Sequence, residues 1–171
     1  MNQFPAGVIP FSEPQLEAII SILLKQCSLI VAREATDRKD YPELYDELYM
    51  KGRKHSYTAA VLAGFQESTS IPGMRIKKQK YGRIHWQPEI IGESVILQIY
   101  SSEASLKTRE IREKCTQYNV AGSPIEYCIL QFFLNRKGRL SKVDLVKLNK
   151  EARIISRVPV YSYLRSLSYV A

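Results

Sequence analysis

One stretch near the middle of the chain combines cationic and aromatic side chains in a pattern that suits contact with nucleic acid. Residues 74–88 read MRIKKQKYGRIHWQP, and no Asp or Glu interrupts them. Lys and Arg attract phosphate, and aromatic rings stack on unpaired bases. The side chains that would make these contacts are Arg75, Lys77, Lys78, Lys80, Tyr81, Arg83, His85 and Trp86.

The positive charge of the protein is concentrated around this stretch. Residues 51–88 hold eight Lys or Arg against a single Glu67, a net charge of +7, whereas the whole chain carries +8. Such localised charge attracts polyanions. We therefore expect DNA or RNA as the partner, with an acidic protein partner and a merely solvated positive surface as alternatives. Further cations could widen the surface if they fold nearby, namely Lys51, Arg53, Lys54, Arg136, Lys137 and Arg139.

Catalysis has weaker support in the sequence. His55 and His85 are the only histidines, and a small, toxin-like ribonuclease that needs no metal could use them as acid and base. The carboxylates in predicted strands do not form the Asp…Glu-x-Lys run of a metal-dependent nuclease. We expect Glu126 and Asp144 to be polar residues at the surface. Binding without catalysis, cofactor or metal is the expectation.

The cysteines and the apolar segments indicate where the protein resides. Cys27, Cys115 and Cys128 form no CxxC pair, so we expect three buried, reduced thiols and no zinc site. The N-terminus lacks the pattern of a signal peptide, and no segment has about 18 consecutive apolar residues. These features predict a cytoplasmic protein that does not bind a membrane. The sequence gives no indication of oligomeric state.

Helices dominate the first part of the chain. Ser12 and Gln15 fit a capping box, and the apolar spacing that follows predicts a helix to about Glu34. A second helix is predicted from Asp40 and a third over residues 57–66.

Strands dominate the second part of the chain. A hairpin is predicted over residues 74–88 with its turn at Tyr81-Gly82. The remaining strands are predicted at 94–100, 125–134, 139–148 and 152–161, with Pro159 at an edge or an end. A helix is predicted between them at 103–118, with Glu110 and Lys114 on its exposed face.

These elements predict one α+β domain over residues 1–171, helical over about 12–68 and sheet over about 74–162. The sheet would have about five or six mainly antiparallel strands, with helices on one face. The order of three helices and a basic hairpin over residues 13–88 resembles that of a winged helix-turn-helix, with 57–66 as the reading helix and 74–88 as the wing. The apolar interior of the third helix offers few donors for base edges, so the resemblance assigns no functional residue.

Overall fold

The computed structural model describes residues 9–40, 60–65, 67, 71–77, 87–135 and 138–161. In these residues six strands form one sheet whose spatial order is the order of the chain. The strands are β1 (Arg75–Lys77), β2 (Glu89–Ile91), β3 (Val95–Ser101), β4 (Glu126–Leu134), β5 (Leu140–Leu148) and β6 (Ile154–Pro159). The helices are α1 (Glu13–Asp40) and α2 (Arg109–Tyr118), and residues 60–65 are also helical.

The sheet is antiparallel except at its centre, where β3 and β4 run parallel. A parallel pair needs a crossover connection, and α2 provides it. The prediction of an α+β fold with a mainly antiparallel sheet and one inserted helix is confirmed.

The capping box of α1 is present as predicted. Ser12 N donates to Gln15 Oε1 at 2.9 Å, and Gln15 N donates to Ser12 Oγ at 3.4 Å. Gln15 also donates through Nε2 to the carbonyl of Pro72 at 2.8 Å, which ties the start of the helix to the turn before β1. That turn contains Gly73 at a φ of 65°, a value that glycine adopts without strain.

Each face of the sheet has its own apolar core. On one face the stripe of α1 packs on the sheet through side chains that include Leu16, Ile19 and Leu23. On the other face, called here the α2 face, Ile111 and Cys115 of α2 pack on the sheet. The expectation that helices cover only one face is wrong, because the parallel β3–β4 connection places α2 opposite α1.

Three details of the helices differ from the prediction. α1 continues to Asp40 instead of ending near Glu34, because residues 32–40 contain no Gly or Pro and Glu34 pairs with Arg38 at 3.9 Å. α2 begins at Arg109 instead of residue 103, because Thr108 is its N-cap. Glu110 and Lys114 do not lie on an exposed face, since both contact polar residues of the sheet.

The chain regions most relevant to the winged-helix resemblance are only partly described. The predicted second helix beyond Asp40 lies outside the described residues, as do residues 57–59 and 66 of the third. β1 lies in the first arm of the predicted hairpin, but its partner β2 begins at Glu89, just after the predicted end of the hairpin at Pro88. β2 also pairs with β3. β1 therefore belongs to the six-stranded sheet. The predicted turn at Tyr81-Gly82 lies outside the described residues.

By length and hydropathy alone, the 28-residue α1 could cross a membrane. A core helix of a globular protein passes the same test. The apolar stripe in the first half of α1 packs on the sheet, and 28% of the most apolar window of the helix is buried.

Candidate nucleic-acid interface

Two of the predicted contact residues, Arg75 and Lys77, lie on the edge strand β1 and are exposed. Ile76 between them packs against the core on the α1 side, so both cations project from the α2 face. Most of the other predicted site residues lie outside the described part of the chain: Lys51, Arg53, Lys54, His55, Lys78, Lys80, Tyr81, Arg83, His85, Trp86, Arg136 and Lys137. Arg139 is exposed, just before β5.

A buried carboxylate lies beside Lys77. Glu89 is 3% exposed and is the strand partner of Lys77, whose Nζ lies 3.8 Å from Glu89 Oε1. Lys114 of α2 donates to the other oxygen, Glu89 Oε2, at 2.5 Å. Glu89 thus connects the base of the cationic strand pair to the helix that covers this face.

Gln98 extends this polar network into the centre of the sheet. It is the strand partner of Glu89 and is fully buried. Its Nε2 donates to Glu110 Oε1 at 2.8 Å, and its Oε1 accepts from the Tyr127 hydroxyl at 2.5 Å. The Tyr100 hydroxyl lies 3.4 Å from the same oxygen. These partners fix the orientation of the amide.

Burial determines the protonation of the neighbouring tyrosines and thiols. Desolvation raises the pKa of Tyr100 and of Tyr127 far above the usual range, and nearby carboxylates raise it further. Both hydroxyls are therefore neutral donors at physiological pH. Burial also raises the pKa of Cys27 and of Cys115 to about 11.

The thiols therefore have little capacity for nucleophilic chemistry. All three cysteines are free and buried, as predicted, and desolvation raises the pKa of Cys128 as well. A thiol that stays protonated is a poor nucleophile. Across the described ranges, no three His, Cys, Asp or Glu side chains lie close enough together to hold a metal ion.

The buried polar residues of the strands lie almost entirely on one face. Strand alternation and register place four of them on the α2 face: Glu89, Gln98, Gln131 and Asp144. The core on the α1 side is formed by apolar side chains. Because burying a polar group is costly unless it is bonded, this asymmetry marks the α2 face as the candidate functional surface.

Sequence reasoning missed the polar network around Glu89 and Gln98, and it misjudged Asp144, another buried acid on the same face. Asp144 was expected at the surface but is 1% exposed. Its neighbours Val143 and Leu145 pack in the core on the α1 side, and Asp144 lies on the α2 face, which is also covered. Glu126 remains half-exposed, with Lys147 at 3.1 Å from its carboxylate. A usable signal was present, since Gln98 and Gln131 each interrupt an otherwise apolar run.

Comparisons with protein-family models, curated proteins and solved structures found no match to this chain. The function is therefore inferred from the charge distribution of the protein and from the geometry of the α2 face.

Proposed function

We propose that the protein binds DNA or RNA, without catalysis, through the cationic segment 75–86. Its Lys and Arg side chains contact phosphates, an interaction that depends little on base sequence. Tyr81 and Trp86 add stacking on bases or packing against the backbone. The partner chemistry is that of the phosphodiester backbone, which DNA and RNA share.

The observation that supports this proposal most is the position of the two described ends of the segment. Lys77 and Glu89 are paired neighbours on β1 and β2, and β1 is an edge strand of the described sheet. The chain therefore leaves and re-enters the sheet at adjacent positions. The residues between them carry Lys78, Lys80 and Arg83 and no acid.

The charges around Glu89 also support binding to an anion. Lys114 makes the shorter contact with Glu89, at 2.5 Å, whereas Lys77 lies 3.8 Å away and its side chain is 53% exposed. One carboxylate thus faces two cations, and exposed Arg75 adds a third. The base of the segment remains positive, so Glu89 does not cancel its attraction for phosphate.

The proposal is tested by measuring affinity for labelled random-sequence DNA and RNA at about 50 and 200 mM salt. The triple variant Lys78→Gln/Lys80→Gln/Arg83→Gln should bind at least about tenfold more weakly at the lower salt concentration. The slope of log affinity against log salt concentration should become shallower by about three units, one for each lost phosphate contact.

The matched control removes three exposed cations from α1, as Lys25→Gln/Arg33→Gln/Lys39→Gln. It carries the same net charge as the test variant, so it isolates position from total charge. Two results would overturn the proposal: no binding by the wild-type protein at the lower salt concentration, or equal losses in the two variants.

A further inference from the structure

A second polar cluster lies on the α2 face, on strands β4, β5 and β6. The buried Asp144 Oδ2 lies 2.8 Å from Lys142 Nζ and 4.0 Å from Arg157 Nη1. Arg157 Nη1 also donates to Gln131 Oε1 at 2.8 Å. Gln131 donates in turn through Nε2 to the carbonyl of Ser101 at 3.2 Å. Buried groups therefore hold the guanidinium in a defined position.

Both cations of this cluster are accessible to a ligand. The side chain of Lys142 is 49% exposed and that of Arg157 is 41% exposed. Two cations share one carboxylate, so the cluster is net positive. Nε and Nη2 of Arg157 have no acceptor among the described residues, and their N–H groups can bind an anion. The planar guanidinium matches two oxygens of one phosphate.

The carboxylate at the centre of the cluster is costly to the fold. Asp144 is 1% exposed, and its Oδ1 has no hydrogen-bond partner in the part of the chain that the structure describes. An apolar residue of similar volume would avoid that penalty. A buried acid that orients two half-exposed cations is the arrangement of a preorganised binding site, in which supporting groups fix the residues that meet the ligand.

The register of the sheet relates this cluster to the cationic segment. Paired residues form one row across all six described strands: Lys77, Glu89, Gln98, Ile129, Val146 and Arg157. Neighbouring strands are about 4.8 Å apart, so the two ends of the row are separated by roughly 24 Å on the same face. Along a duplex, each strand presents a phosphate about every 3.4 Å, and about seven base pairs cover this distance. Between the ends, the exposed Arg109 and Arg112 of α2 offer further cations.

We propose that Lys142 and Arg157 bind phosphates of the same nucleic acid that the cationic segment binds, and that Asp144 is a positioning residue for both. This inference rests on the proposed function. It extends the interface from the β1 edge of the sheet to the β6 edge. The backbone phosphates of a duplex are its ligand.

The test compares two double variants by their affinity for a labelled random-sequence duplex at about 50 and 200 mM salt. Lys142→Gln/Arg157→Gln should bind at least about tenfold more weakly. The slope of its log affinity against log salt concentration should become shallower by about two units. The control Lys150→Gln/Arg153→Gln removes the same charge from exposed residues at the β5–β6 turn, at the far end of β5 from Lys142. The control should lose much less affinity.

Two single variants keep the test decisive if the double variant is unstable. Lys142→Gln leaves Arg157 in place beside Asp144, and it should make the slope of log affinity against log salt shallower by about one unit. Asp144→Asn removes a negative charge, so attraction by net charge alone predicts tighter binding. Loss of positioning instead predicts weaker binding and a flatter salt dependence, which is the result we expect.

The outcomes separate this inference from the proposed function. If the wild-type protein binds and Lys142→Gln leaves affinity and salt dependence unchanged, the second contact is wrong and the proposed function stands. Tighter binding by Asp144→Asn would overturn its positioning role. If the wild-type protein binds no duplex at the lower salt concentration but captures an acidic protein, both proposals fail.

Discussion

Glu89 shows how a single side chain can join three elements of this fold. Its carboxylate faces Lys77 on β1 and Lys114 on α2, while its own strand pairs with β3. A buried ion pair is a weak source of stability compared with an apolar pair, but breaking it leaves a charge without its partner. The contribution of Glu89 therefore becomes visible when only the acid is neutralised.

The substitution Glu89→Gln tests this contribution. Lys114, whose side chain is 17% exposed, would keep its charge and lose its partner at 2.5 Å. We expect the free energy of unfolding to fall by about 1.5–3 kcal/mol, the range for hydrogen bonds to charged groups. Urea unfolding at neutral pH measures the change.

The control for this substitution is Glu113→Gln, which breaks the exposed pair between Glu113 and Arg109 at 2.7 Å. Both of these side chains are mostly exposed, so the expected change is below about 0.5 kcal/mol. Equal losses in the two variants would show that Glu89 acts as an ordinary surface acid.

At the residue scale, the sequence predicted charge but not burial. The concentration of cations in residues 51–88 could be counted directly. The full set of partners of Gln98 and Asp144 could not, because Glu110 comes from α2 and Arg157 from β6, and the register that joins the strands is set by the whole sheet. The same limit explains why Glu110 and Lys114 were predicted as an exposed pair.

Among the elements, α2 is the one whose exact start matters most for the polar network. Thr108 caps it, with its Oγ1 accepting from Ile111 N at 3.3 Å. This start sets the phase of the helix, so that Glu110 meets Gln98 and Lys114 meets Glu89. The sequence prediction placed the start near residue 103, because several earlier residues, including Ser101 and Ser102, could also serve as caps.

Removal of the cap by Thr108→Ala should lower the free energy of unfolding by about 1 kcal/mol, the usual cost of losing such a side chain. Thermal unfolding followed by circular dichroism measures it. Thr116→Ala is the matched control, since Thr116 is exposed inside the same helix and donates only to the Arg112 carbonyl at 2.9 Å. Because Ala favours the helix interior, this control should be neutral or slightly stabilising. A control that loses as much as Thr108→Ala would contradict the capping role.

Most elements could be predicted from the sequence because their local signals agree with the fold. The capping box of α1 and the apolar runs of β3 and β4 are examples. The parallel pairing of β3 and β4 could not be predicted in this way, since runs of apolar residues indicate burial on both faces without giving strand direction. That pairing decides which face α2 covers.

At the scale of the whole molecule, the sheet joins two cores that have no helix in common. β4 supplies Leu130 and Phe132 to the core on the α1 side and Tyr127 and Ile129 to the core on the α2 face. Because adjacent residues of one strand belong to different cores, loss of packing on one face should loosen the other. We therefore expect the molecule to unfold in a single cooperative step.

Two truncations test this cooperativity, Leu23→Ala in the core on the α1 side and Ile111→Ala in the core on the α2 face, both of which remove fully buried side chains. Each should lower the free energy of unfolding by about 2–5 kcal/mol. Leu29→Ala, which truncates a side chain of α1 that is 55% exposed, should change the free energy of unfolding by less than about 0.5 kcal/mol.

Urea unfolding is followed in parallel by two signals. Far-ultraviolet circular dichroism reports the helices, and near-ultraviolet circular dichroism reports packed tyrosines. The two signals should shift together in each variant, because β4 cannot lose one set of neighbours and keep the other. Separate midpoints for the two signals in Ile111→Ala would show instead that the α2 face, with its polar network, unfolds independently of the rest of the molecule.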